Sequence, residues 1–217
     1  MKRAIAFPSR RGQMRGRQEV LMPYTRAASS ILVGVLVLIT PVLAQKKEIP
    51  SSRFVTYRGS DLEIRFPDNW IVTKTGNTVT LSPEEGNVSG ALAYGLLMDI
   101  FEPRSRNDPN EGSLPETGDP RQMTLSDATD RLIEDLRRTH PNLKVVRSVQ
   151  KDLGGVAAIE VEMNNASPVG GLEVDRLIAI RRPNEDLRYF LAVAPQAELD
   201  RYNSIFNRMI SSIRFYN

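Results

Sequence analysis

The chain contains no cysteine. That excludes disulfides, thiolate nucleophiles and cysteine-ligated metal sites. Histidine is nearly as scarce, with His140 alone among 217 residues. A lone histidine rules out an HExxH zinc site and any multi-histidine centre. It stands beside Pro141, where a cap on a helix C-terminus is the simplest role. No Gly-x-Ser-x-Gly elbow is present to meet it, since Gly86-Asn87-Val88-Ser89-Gly90 sets the serine one place too late. No phosphate-binding Gly-Lys-Ser/Thr loop occurs. Tryptophan occurs once, as Trp70, and the apolar strand around it reads as core. Catalytic residues, cofactor ligands and metal ligands are therefore expected to be absent.

Long apolar runs are also missing, apart from Ile31–Ile39. That run is too short for a membrane-spanning helix, which needs roughly 20 residues. A basic lead to Arg26 precedes it and Thr40-Pro41-Val42-Leu43-Ala44-Gln45 follows it. The pattern is that of a secretory signal peptide over residues 1–44, cleaved between Ala44 and Gln45. Met22-Pro23-Tyr24-Thr25-Arg26 would serve as an n-region by itself, which makes Met22 an alternative start. An uncleaved segment would act as a membrane anchor. Without a cysteine after the run, lipid modification is excluded.

The signal distorts the charge balance. The full chain has 29 Lys+Arg against 26 Asp+Glu, a net +3. Residues 1–44 hold 7 of the basic residues and 1 of the acidic ones, leaving 22 against 25, or −3, in the mature part. Its basic residues form no stripe, so nucleic acid is not an expected partner. Export without disulfides points to a periplasmic or extracellular bacterial setting.

Residues 45–53 read as a polar linker and residues 54–217 as a single domain. Phe54–Arg58 and Leu62–Phe66 flank Gly59-Ser60-Asp61 as a hairpin, and Leu62, Ile64 and Phe66 alternate with charged residues. Further strands follow at Trp70–Val72 and Val79–Leu81. Glu84-Glu85 sits in a turn and reads as exposed. Gly90–Phe101, apolar on both parities, predicts one long central strand, with Ala91, Ala93 and Gly95 allowing a close neighbour. Pro103–Gln122 is a polar loop and a candidate binding element.

A helix is predicted from Leu125 to about Thr139, with Thr124 and Asp127 near a capping box. Leu125, Ala128, Leu132 and Leu136 form its apolar stripe. Strands return at Leu143–Val149, Val156–Met163, Leu172–Ile180 and Leu187–Ala194. A last helix starts near Pro195 and buries Tyr202, Ile205, Phe206, Met209, Ile210 and Ile213. The order predicts an α+β fold, a mainly antiparallel curved sheet flanked by helices.

Carboxylates are the remaining chemical groups of interest. Glu160 and Glu162 share one face of their strand, and Glu173 and Asp175 share one face of the next. Coincidence of those faces would make an acidic patch for calcium or a basic partner. The alternative is a solvated sheet face neutralised by arginines such as Arg147 and Arg188.

The stretch Leu62-Glu63-Ile64-Arg65-Phe66-Pro67-Asp68-Asn69-Trp70 resembles the apolar-alternating, Pro-x-x-Trp opening of PsbP-like domains. Gly90-Ala91-Leu92-Ala93-Tyr94-Gly95, Ala128–Ile133 leading to Pro141-Asn142-Leu143, and Ser212-Ile213-Arg214-Phe215 are similar to accessory domains appended to bacterial membrane-associated HExxH zinc metallopeptidases. The likeness spans residues 54–215. It implies an αβα sandwich and a non-catalytic binding or assembly module; the peptidase domain itself is not part of it. The expected function is an exported accessory domain that binds an envelope protein or a small ligand. The alternatives are a cofactor-free carboxylate hydrolase and a regulatory partner of a separate metallopeptidase.

Overall fold

A computed structural model describes residues 49–102, 123–182 and 185–216. The signal segment with its Ala44/Gln45 cleavage position, and the Pro103–Gln122 loop, lie outside the described residues.

Seven strands form the main sheet in the order β3-β4-β7-β11-β10-β9-β8. They are β3 (Ile71–Thr75), β4 (Thr78–Ser82), β7 (Gly95–Phe101), β8 (Lys144–Leu153), β9 (Val156–Ala166), β10 (Leu172–Ile180) and β11 (Leu187–Pro195). Every neighbouring pair is antiparallel. A second sheet joins β1 (Phe54–Arg58), β2 (Leu62–Pro67) and β12 (Arg214–Phe215). A short hairpin pairs β5 (Asn87–Val88) with β6 (Ala91–Leu92).

The two helices cover opposite faces of the main sheet. Helix α1 (Leu125–Thr139) places Ala128, Leu132 and Ile133 on Ile159, Val161, Met163, Leu177 and Ala179. Helix α2 (Leu199–Ser211) places Tyr202, Phe206, Met209 and Ile210 on Ile178, Ile180, Phe190, Ala192 and Ala194. The β1–β2 hairpin joins this second core through Leu62, Ile64 and Phe66. The period-2 pattern of each strand thus feeds both cores, and the result is an αβα sandwich. Trp70 is buried in the α2 core, 6.3 Å from the rings of both Tyr202 and Phe206.

Helix α1 begins and ends where the sequence predicts. The Thr124 hydroxyl accepts from the Asp127 amide at 3.1 Å and donates to its carboxylate at 2.7 Å. The His140 amide donates to Leu136 O at 2.8 Å and closes the helix. Its buried face takes in Thr129 and Ile133, while Leu125 and Leu136 are half-buried. The C-terminal part of the predicted linker is fixed to the domain. Ser51 N donates to Asn69 Oδ1 at 2.8 Å, and Asn69 Nδ2 donates to Ile49 O at 2.9 Å.

Two sequence expectations need correction. Gly90–Phe101 is not one strand. The chain turns at Ser89 and Gly90 (φ 52° and 85°), runs through β6, and starts β7 only at Gly95 (φ 147°). A Cβ on Gly95 would lie 2.6 Å from Leu81 O, so the close approach expected there is real and requires glycine. The last helix does not begin at Pro195. That proline ends β11 and leads into a 3-10 turn, Gln196–Glu198, before α2 starts at Leu199.

Candidate functional site

The four carboxylates do not form one patch. In the β9–β10 register, Glu162 lies opposite Arg176 and Glu160 opposite Ile178, whereas Met163 faces Asp175 and Asn165 faces Glu173. Cross-strand partners point to the same side of a sheet. Glu160 and Glu162 therefore lie on the α2 face, and Glu173 and Asp175 on the α1 face.

On the α2 face, Glu160 is the centre of an ion-pair network. Its Oε2 accepts from Lys151 Nζ at 2.6 Å and from Arg176 Nη2 at 2.9 Å. Arg147 stands 3.9 Å from Glu160 and 3.7 Å from Glu162. Arg176 also donates to Asn207 Oδ1 on α2. Burial pushes the Glu160 carboxyl up. Hydrogen bonds and charge from Lys151 and Arg176 outweigh that and hold it below the ordinary carboxylate range. The second expected counter-charge, Arg188, pairs instead with Asp61 in the β1–β2 turn.

This network lines a groove of about 270 Å³ between the sheet and α2. Arg147, Glu160, Glu162 and Arg176 supply its charge, and Asn203 and Asn207 face them from the helix. Val174, Ala192, Leu199 and Phe206 form its apolar part. Sequence reasoning found the acidic half of this groove. Arg176 and the two asparagines were missed, although the four-residue spacing of Asn203 and Asn207 puts them on one helix face.

The α1-face pair is different in kind. Glu173 and Asp175 are 5% and 3% exposed. Asn165 Nδ2 donates to Glu173 Oε1 at 3.2 Å, while Glu173 Oε2 and Asp175 Oδ1 have no hydrogen-bond partner. Burial pushes Glu173 up to about 7, against hydrogen bonds from Asn165 and Ser167. Burial and the neighbouring Glu173 charge push Asp175 up to about 8. Neither residue lines the α2 groove. Among the described residues, no group of three or more Asp, Glu or His side chains is arranged to hold a metal ion. No helix among them is long and apolar enough to cross a membrane.

A second cavity, of about 360 Å³, lies at the end of the sheet where β11 runs into α2. Tyr94 and Tyr202 form an aromatic wall, with ring centroids 5.4 Å apart. Gly86 lets the backbone at Tyr94 pack close beside it. The amides of Ala93 and Tyr94 donate to Gly86 O at 2.8 and 3.2 Å, and a Cβ on Gly86 would lie 2.6 Å from Tyr94 O.

An antiparallel sheet with one helix on each face and a β1–β2 hairpin beside the second helix defines a PsbP-like α+β fold. The solution structure of cyanobacterial PsbP (CyanoP) from Synechocystis superposes with a TM-score of 0.52 at 15% identity, over 79% of this chain and 96% of that one. LpqN, described as involved in cell envelope biogenesis of Mycobacterium tuberculosis, matches with a TM-score of 0.47 at 10% identity, over 76% and 91%. A Pseudomonas aeruginosa protein of unknown function, described as a putative regulator, gives 0.42 at 16% identity, over 74% and 95%. No family model matches the chain, and no curated protein does.

Proposed function

We propose that the protein is an exported, non-catalytic binding domain that holds an envelope protein or small ligand in the α2 groove. The observation that carries this reading is the state of Glu160. Lys151, Arg176 and Arg147 surround its carboxylate, so it is held ionised and occupied rather than poised to exchange a proton. The groove around it is concave, half apolar and rimmed by arginine and asparagine, a composition suited to recognition. Glu173 and Asp175 have the raised pKa of catalytic acids, but their burial outside the groove separates them from a substrate there. The N-terminal signal pattern supports export. The likeness to metallopeptidase accessory domains supports a partner protein, with a separate peptidase as one such partner.

The test is site-specific cross-linking in intact cells, with p-benzoyl-phenylalanine in place of Asn203. The expected result is a discrete adduct that disappears when Arg176→Ala is added to a chain that still folds and is exported. No adduct from such a chain overturns the groove reading. Hydrolysis of ester, glycoside or peptide substrates by the purified chain, lost in Glu160→Gln, would establish the carboxylate hydrolase instead.

A further inference from the structure

Strand β8 is one edge of the seven-stranded sheet. Of its residues only Leu153 enters either core, so neither helix covers the rest. Lys144 to Gln150 are exposed without a break, which leaves this stretch bare on both faces. Val145, Val146 and Val149 are 38%, 54% and 38% exposed. The outer side is open as well. Among the described residues, no hydrogen bond reaches the backbone of Lys144–Asp152 from any element but β9. A long edge strand with bare valines and unpaired backbone groups is a template for a further strand. The opposite edge, β3, has 5 residues against the 10 of β8.

The register with β9 slips between Val145 and Arg147, and the segment Arg147–Asp152 beyond the slip is regular. Arg147, Val149 and Lys151 lie opposite Glu162, Glu160 and Ala158, and so share the α2 face with them. Lys144, opposite Asn164, lies on the same face. Ser148, Gln150 and Asp152 lie on the other. Arg147 and Lys151 already pair with Glu160 and Glu162. The docking edge is therefore defined by its open backbone, and charge selects the occupant. On the α2 face Lys144, Arg147, Lys151 and Arg176 stand with only Glu160 and Glu162. Arg147 is the most loosely held, at 3.9 and 3.7 Å from those two, with its side chain 59% exposed. Any two-fold antiparallel pairing of Arg147–Asp152 with a second copy sets Arg147 and Lys151 directly or diagonally opposite their own counterparts, which is unfavourable. A strand with carboxylates opposite Arg147 and Lys151, and an apolar residue opposite Val149, meets no such repulsion. We infer that the outer edge of β8 adds an extended segment of another protein, in which acidic, apolar and acidic residues alternate with neutral polar ones. Nothing in this depends on what fills the α2 groove.

The experiment follows amide shifts and amide hydrogen exchange of the mature chain. The probe is the N-acetyl, C-amidated peptide Thr-Thr-Glu-Thr-Val-Thr-Glu-Thr-Thr. Saturable shifts are expected in β8. Every second amide from Arg147 to Asp152, exchanging fast in the free chain, should become protected, because alternate amides of an edge strand point outward. Replacing both glutamates of the peptide by lysine should weaken binding about tenfold, since each opposed pair then changes from attractive to repulsive. Two further peptides carry backbone N-methyl groups, one at odd and one at even positions. One should lose binding and the other keep it, which mere ionic attraction would not produce. These comparisons vary the peptide alone, so none depends on a variant that folds. Equal binding of the lysine peptide, equal behaviour of the two N-methylated peptides, or saturation without protection in β8 would overturn the inference. Protection of the same amides on concentrating the chain by itself would make a second copy the occupant and overturn it as well.

Discussion

Asp175 should make this domain less stable as pH rises through neutrality. Its ordinary pKa is 3.8, and burial beside Glu173 lifts the folded value to about 8. Between those values the unfolded chain has released a proton that the folded chain keeps. The unfolded state binds fewer protons there, so stability falls with rising pH, opposite in sense to an ion-paired carboxylate. At about 1.4 kcal/mol per tenfold, raising the pH from 5 to 8 costs roughly 3–4 kcal/mol through Asp175 alone. Set against a domain stability of about 5–15 kcal/mol, that loss is large. Asp175→Asn replaces the protonated acid by a neutral group of the same shape. The variant should match the parent near pH 4 and exceed it by a margin that grows from just above pH 4 up to about pH 8. Urea unfolding followed by Trp70 fluorescence is the assay, because that ring is buried against Tyr202 and Phe206. The gap between the two midpoints at pH 8 should be about 1–2 M. A gap that stays constant from pH 5 to 8, or a parent that gains stability across that range, would refute the reasoning.

Other substitutions probe the frame. Gly95→Ala forces a side chain onto Leu81 O in a backbone region open to glycine, and should cost at least ~2 kcal/mol in chemical denaturation. Phe206→Ala opens a cavity between α2 and the sheet and should cost about 3–5 kcal/mol. Thr124→Ala removes the α1 cap and should cost about 1 kcal/mol, with early exchange of amides in the first helical turn. Mass spectrometry of the exported protein should find Gln45 at its N-terminus; a mature chain beginning before Ile31 would remove the signal reading.

The local parts of this fold were legible because local rules decide them. Leu62, Ile64 and Phe66 alternate and become the buried face of β2, and Thr124 and His140 bracket α1 as its cap chemistry requires. The break at Tyr94–Gly95 was not legible. It depends on how closely β4 packs on Gly86 and Gly95, and an apolar run carries no mark of that. The two-residue β12 was missed for a similar reason, since its pairing with Leu62 and Glu63 is set by where α2 ends. For the candidate site, each strand's parity was readable and the register between strands was not. The Ser167–Gly171 turn, closed by Ser167 N on Gly171 O at 3.0 Å, pairs Ala166 with Leu172. Even-numbered residues then face even-numbered ones, and a one-residue change in the turn would have merged the two acidic pairs. Arg176, the residue that neutralises Glu160, followed from the same register and stayed hidden with it.

The most direct test of the binding role is hydrogen exchange of the mature chain, alone and in a detergent-solubilised extract of its own cell envelope. The expected result is added protection confined to α2 and to β8–β10 around Glu160 and Arg176, absent from a folded Arg176→Ala chain. Unchanged exchange in the groove, or equal protection in Arg176→Ala, would contradict the groove as the working surface of this protein.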